Sequence, residues 1–175
     1  METGKNRSKY IEQWKIAVKN SEPEKAKVEN PAAHSTLVEL MKKQNQMIEK
    51  INSVGDIFDQ YSFLIMKSSY LPGIPEEERK DDDLVAGCQS KVWLMVTVDQ
   101  NGIFSMRSES DTLIIRGILE LFEELLNGEK ADAVARLDIQ LLAKTELAAT
   151  FTSDRTTGMK KIMEKIQALA GGNNN

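Results

Sequence analysis

The chain has few of the residues that build metal sites and disulfide frameworks. Its 175 residues hold one cysteine and one histidine. A single thiol cannot close an internal disulfide, and it fits a reducing compartment. Zinc needs three or four protein ligands, commonly several Cys or His. Cys88 and His34, one of each and far apart, do not make a site. The acidic run Asp81-Asp82-Asp83 lacks the spacing of an EF-hand, and there is no Walker A loop and no Gly-x-Gly-x-x-Gly. Neither a resident metal nor a conventional bound cofactor is expected. A basic excess is also missing. The net charge is −4, with 23 Lys and Arg against 27 Asp and Glu, which argues against a nucleic-acid partner. No stretch approaches 18 consecutive apolar residues, so no membrane partner is expected. Residues 1–20 are charged and interrupted, unlike a secretory signal. The expected location is the cytoplasm.

What is present suffices for one domain. Apolar residues make up 41% and well-mixed charges 29%. Residues 1–33 read as a polar N-terminal extension. Within it Tyr10, Ile11, Trp14, Ala17 and Val18 recur at helical spacing, ahead of a charged linker, Glu22 to Glu29. Asn30-Pro31 reads as the start of the next element. Leu37, Leu40, Met41, Met47, Ile48, Ile51 and Val54 form one helical stripe. Ile57, Phe58, Tyr61, Leu64 and Ile65 form a second after the Gly55-Asp56 break, and both are expected to pack in the core. Residues 72–83 form a polar loop whose charge run, Glu76 to Asp83, is expected to be solvated.

Three short strands are expected next: Leu84 to Ala86, Lys91 to Val98 and Ile103 to Ser108. Asn101-Gly102 forms a hairpin turn between the last two. Helices follow. Ser110 and Asp111 are N-cap candidates for one through Leu113, Ile114, Ile118, Leu121, Phe122, Leu125 and Leu126, ended by Asn127-Gly128. Thr152-Ser153-Asp154 caps a last helix through Met159, Ile162, Ile166 and Leu169. Residues 171–175 read as a disordered tail. The expected fold is α+β: a small three-stranded antiparallel sheet with one face covered by helices, formed by residues 34–170.

Cys88 stands out in this frame. It follows Gly87, which can turn the chain, and precedes two small polar residues and the Val92 to Val98 run. This places it on a tight connection between two strands, reachable by another molecule. Cysteine nucleophiles usually need a base, and His34, expected at the surface, would have to fold back over some fifty residues. The pattern points away from a stand-alone hydrolytic thiol. Lys91, or an arginine brought close by folding, would raise the thiolate fraction.

Several segments in order resemble the SufE family of sulfur-acceptor proteins. Residues 56–72, ending in Leu71-Pro72, resemble its second helix. Gly87-Cys88-Gln89-Ser90 with Val92-Trp93 matches its most specific motif almost letter for letter. Ser108-Glu109-Ser110-Asp111 with Ile115-Arg116-Gly117 resembles its Gly-Asp-Ser-Asp…Val-Arg-Gly segment. Thr152-Ser153-Asp154-Arg155-Thr156-Thr157-Gly158 resembles its Thr-Pro-Ser-Arg-Ser-Asn-Gly turn. The match spans roughly residues 37–170. Departures are Ser108 and Glu109 for Gly and Asp, Ser153 for Pro, and Thr150 where a histidine is common.

The resemblance implies that Cys88 accepts sulfane sulfur from the persulfide of a pyridoxal-phosphate-dependent cysteine desulfurase and passes it to an iron–sulfur scaffold. The pyridoxal phosphate belongs to the partner. Arg155 falls at the family's arginine, a neighbour for a thiolate or persulfide anion, with a helix-start ion pair as the plainer reading. Asp111 matches an aspartate beside the cysteine loop, with helix capping as the plainer reading. The alternatives are a thiol enzyme that needs no partner and a non-catalytic interaction module of the same fold. An iron–sulfur scaffold needs about three cysteines, so one is too few without a homodimer, and self-association stays open.

Overall fold

The computed structural model describes residues 36–172. The expected extension over residues 1–33, Asn30-Pro31, His34 and the last residues of the tail lie outside the described residues. Thr36 starts helix α1 (Leu37–Asn52) with a capping box: its hydroxyl accepts from the Glu39 N–H, and the Glu39 carboxylate accepts from the Thr36 N–H. Asp56 caps α2 (Ile57–Lys67), accepting from the Phe58 and Asp59 N–H groups. Two antiparallel strands follow, β1 (Val92–Val98) and β2 (Phe104–Ser110). Then come α3 (Leu113–Leu126), the short α4 (Ala131–Arg136) and α5 (Ser153–Ala170).

The hairpin turn is built as expected. Gly102 takes φ +75°, and the Asp99 carboxylate accepts from the Asn101 and Ile103 N–H groups. Register runs from Val92↔Ser110 to Val98↔Phe104. Side chains alternate across a strand, so Val92 and Leu94 point with Phe104 and Met106 into the core, where all four are buried. Trp93 and Glu109, paired across the ladder, share the opposite face.

The sheet has two strands, not three. Leu84–Ala86 contributes one bridge, Leu84↔Trp93, and one hydrogen bond from Val85 N–H to Val92 C=O. A tight turn over Asp81–Asp83 precedes this segment and Gly87 at φ +74° follows it, so the chain leaves β1 before a ladder can extend. The far edge, on β2, is covered differently. The Asn127 side-chain amide exchanges two hydrogen bonds with the Met106 backbone, and Phe104 N–H bonds to Glu129 C=O.

The second apolar stripe splits between core and surface. Leu64 is buried, but Phe58 is 78% exposed, and Tyr61 and Ile65 also reach solvent. The buried side of α2 is Gln60, Phe63 and Leu64. This helix approaches α3 so closely that a Cβ on Gly117 would lie 2.0 Å from the Leu64 carbonyl oxygen. Backbone contact, rather than a wide apolar face, seats α2. The charge run over Glu76–Asp83 is mostly exposed, as expected, with Arg79 and Asp83 the half-buried exceptions.

Candidate functional site

Cys88 sits on the connection between the Leu84 bridge and β1. It is half-buried and packs against the edge of the core. Its thiol donates to the Gly158 carbonyl oxygen at 3.5 Å. Burial pushes the thiol up from its ordinary value, and the Lys161 ammonium pulls against that shift. At rest the site therefore favours the protonated, less nucleophilic thiol.

The loop is held on two sides. Toward α3, the Asp111 carboxylate accepts from the Lys91 N–H at 3.0 Å, and the Ser90 and Thr112 hydroxyls lie 2.8 Å apart. Toward α5, the Gln89 side-chain amide donates to Asp154 at 3.1 Å. Lys161 Nζ donates to the Gly87 carbonyl at 3.1 Å. Lys165, one turn further along α5, donates to the carbonyls of Asp82 and Leu84. One face of α5 thus carries much of the loop's anchorage.

Each predicted site residue can be placed against this geometry. Asp111 lies beside the cysteine loop and fixes its exit. The N-cap of α3 is Thr112, not Ser110 or Asp111, and no side chain caps it. Arg155 stands in the first turn of α5, three residues before Gly158. Its side chain is exposed and makes no ion pair or hydrogen bond among the described residues, so the helix-start ion pair is not formed. Gly158, expected within a turn, lies inside α5, because the Thr152 cap starts the helix at Ser153. The cation felt by the thiol is Lys161, not Lys91 or an arginine.

Sequence reasoning missed Lys161 and Arg79. In the sequence each is one more charge in a mixed segment. For Lys161 a usable signal was its place three residues beyond Gly158, on the same helical face.

Behind the loop lies a second charged cluster. Glu109 is 6% exposed and pairs with Arg116, with Arg79 Nη2 at 3.7 Å. Arg116 also donates to the Leu71 carbonyl and Arg79 to the Ile74 carbonyl, while the Arg79 guanidinium stacks 5.0 Å above Trp93. Burial pushes the Glu109 carboxyl up. Hydrogen bonds from Arg116 and from the N–H groups of Ser110 and Ile74, with the Arg116 charge, outweigh it and hold the carboxyl below the usual range. The cluster fastens the 71–79 loop to β2.

Among the described residues no group of His, Cys, Asp and Glu is arranged to hold a metal ion. No described helix is long and apolar enough to cross a membrane. The arrangement is that of a single-thiol α+β protein whose available chemistry is exchange at sulfur.

The chain belongs to the SufE family: the model of the SufE Fe-S metabolism associated domain matches residues 45–170. An uncharacterised SufE-like protein of Rhizobium etli is 29% identical over 134 residues, covering 74% of this chain and 90% of that one. The sulfur acceptor protein CsdE of Escherichia coli is 32% identical over 111 residues, covering 63% of this chain and 76% of its own. A solution structure of a hypothetical protein from Thermus thermophilus shares the fold, with a TM-score of 0.62 at 20% identity over 75% of this chain and 95% of that one.

Proposed function

We propose that the protein accepts sulfane sulfur on Cys88 from a cysteine desulfurase and delivers it to an iron–sulfur assembly scaffold. The observation that carries this reading is a lone thiol, held protonated on a doubly anchored loop within a SufE domain. The relative named as a sulfur acceptor agrees with it. The pyridoxal phosphate that liberates sulfur from cysteine belongs to the desulfurase, and this chain binds none.

The transfer needs no oxidant. The Cys88 thiol loses its proton, and the thiolate attacks the outer sulfur of the donor persulfide. The donor's S–S bond breaks and its electron pair leaves on the inner sulfur, which takes up a proton. Cys88 now carries the new S–S bond. Asp111 keeps the loop's exit fixed through Lys91 while Cys88 turns outward. Arg155, exposed and without a partner among the described residues, receives anionic charge arriving with the donor. The protein is then an accessory to the desulfurase rather than an enzyme alone.

This predicts that the protein raises cysteine turnover by a cysteine desulfurase at saturating cysteine, and that Cys88→Ser returns the rate to its basal level. Full stimulation by Cys88→Ser would refute the acceptor role and favour a non-catalytic interaction module.

A further inference from the structure

The resting hydrogen bond of Cys88 has a chemical consequence. The Gly158 carbonyl accepts the thiol hydrogen. Once that proton leaves, or a second sulfur is added and ionised, the same oxygen faces an anion with the negative end of its dipole. The contact then repels, and the sulfur must find a positive group. A persulfide also extends the side chain by about 2 Å, so it cannot keep the position of the thiol.

One ammonium is already on the loop. Lys161 Nζ holds the carbonyl of Gly87, the residue preceding the thiol. It lies so close that a Cβ on Gly87 would fall 2.2 Å from it. Lys161 and Gly158 are three residues apart on one face of α5, so they bracket the Gly87–Cys88 peptide. Other charged groups border the loop. Lys91 and Asp111 lie at its exit, Asp154, Arg155 and Lys165 on α5, and Asp81, Asp82 and Asp83 before it; Lys160, also on α5, pairs with Glu164. Among these, Asp154 is engaged by Gln89, Asp111 by the Lys91 backbone and Lys165 by two carbonyls. Lys161 is the charge that registers at the thiol.

We infer that Lys161 is the counter-ion of the sulfur anion formed at Cys88, exchanging the Gly87 carbonyl for the charged sulfur when the thiol ionises or takes up sulfur. This deepens the sulfur-acceptor reading and rests on it. It makes the carrier's affinity for an anionic cargo a property of α5. It also ties release of the loop to loading, since the ammonium that clamps Gly87 is the one the loaded sulfur recruits.

The test is the pH profile of iodoacetamide alkylation of the full chain, in which Cys88 is the only cysteine. Wild type is compared with Lys161→Arg, Lys161→Gln and Lys161→Glu. The midpoint reports ionisation and the plateau at high pH reports access. The midpoint should rise in Lys161→Gln and further in Lys161→Glu, and return close to wild type in Lys161→Arg. Alkylation at pH 7 should fall about two- to fourfold in Lys161→Gln, the lost thiolate being partly offset by its greater nucleophilicity. A lysine that only braced the loop would, once lost, let water reach the thiol, which raises the plateau and lowers the midpoint. A midpoint in Lys161→Glu equal to or below wild type overturns the inference. Sulfur uptake from a desulfurase by wild type is scored separately. Its absence would sink the acceptor reading without moving these midpoints.

Discussion

Two charged clusters adjoin β1 and are built in opposite ways. Around Glu109 the carboxylate is buried, two guanidiniums reach it, and each guanidinium also holds a backbone carbonyl. Around Cys88 the loop meets α5 through exposed contacts of long side chains, Gln89 of the loop and the half-buried Lys161 of α5, and the thiol itself makes one weak contact. A buried charge stripped of its partner is expensive, so the first cluster resists change. Exposed polar contacts exchange for water at little cost, so the second can open. The same strand pair thus carries a fixed side and a movable side, and the thiol lies on the movable one.

Breaking the fixed side should have the largest effect. Glu109→Ala leaves Arg116 and Arg79 without their carboxylate. Both keep some access to water, so we expect the lower end of the range for a broken buried pair, about 3 kcal/mol. That corresponds to a fall in Tm of about 6–12 °C by calorimetry. The sign with pH follows from the depressed carboxyl. Its stabilisation is fully present above the ordinary carboxylate pKa and is lost as pH falls through the folded value. The gap between wild type and Glu109→Gln should therefore narrow below about pH 4.

The movable side should respond less in stability and more in reactivity. Asp111→Ala removes the acceptor of the Lys91 N–H, costing about 1 kcal/mol, and should speed Cys88 alkylation at fixed pH. Gln89→Ala removes an exposed contact. Its stability should stay within about 0.5 kcal/mol of wild type while alkylation still rises. A loss of stability in Gln89→Ala as large as in Glu109→Ala would erase the distinction between the two sides.

Much of this contrast could be read from residue order, and part could not. The turn at Gly87, the Asp99-to-Gly102 hairpin and the helix over Leu113–Leu126 follow from local rules, because glycine, Asx and apolar spacing act over a few residues. The third strand failed because three apolar residues between a turn and a left-handed glycine cannot sustain a ladder. The outward half of the α2 stripe failed for another reason. Periodicity says which residues share a face, not which face meets a neighbour, and that choice came from Gly117, sixty residues away in the chain from Ile57. Cys88 and Asp111 were legible as a pair through their motifs. Lys161 was not, since its meaning depends on α5 lying against the loop 74 residues earlier.

The account stands on sulfur reaching Cys88. The direct measurement is the intact mass of the protein after incubation with a cysteine desulfurase, pyridoxal phosphate and cysteine, without reductant. Wild type should gain the mass of one sulfur atom, located on the Cys88 peptide, and Cys88→Ser should gain none. An unchanged wild-type mass, or a gain that survives Cys88→Ser, would contradict it.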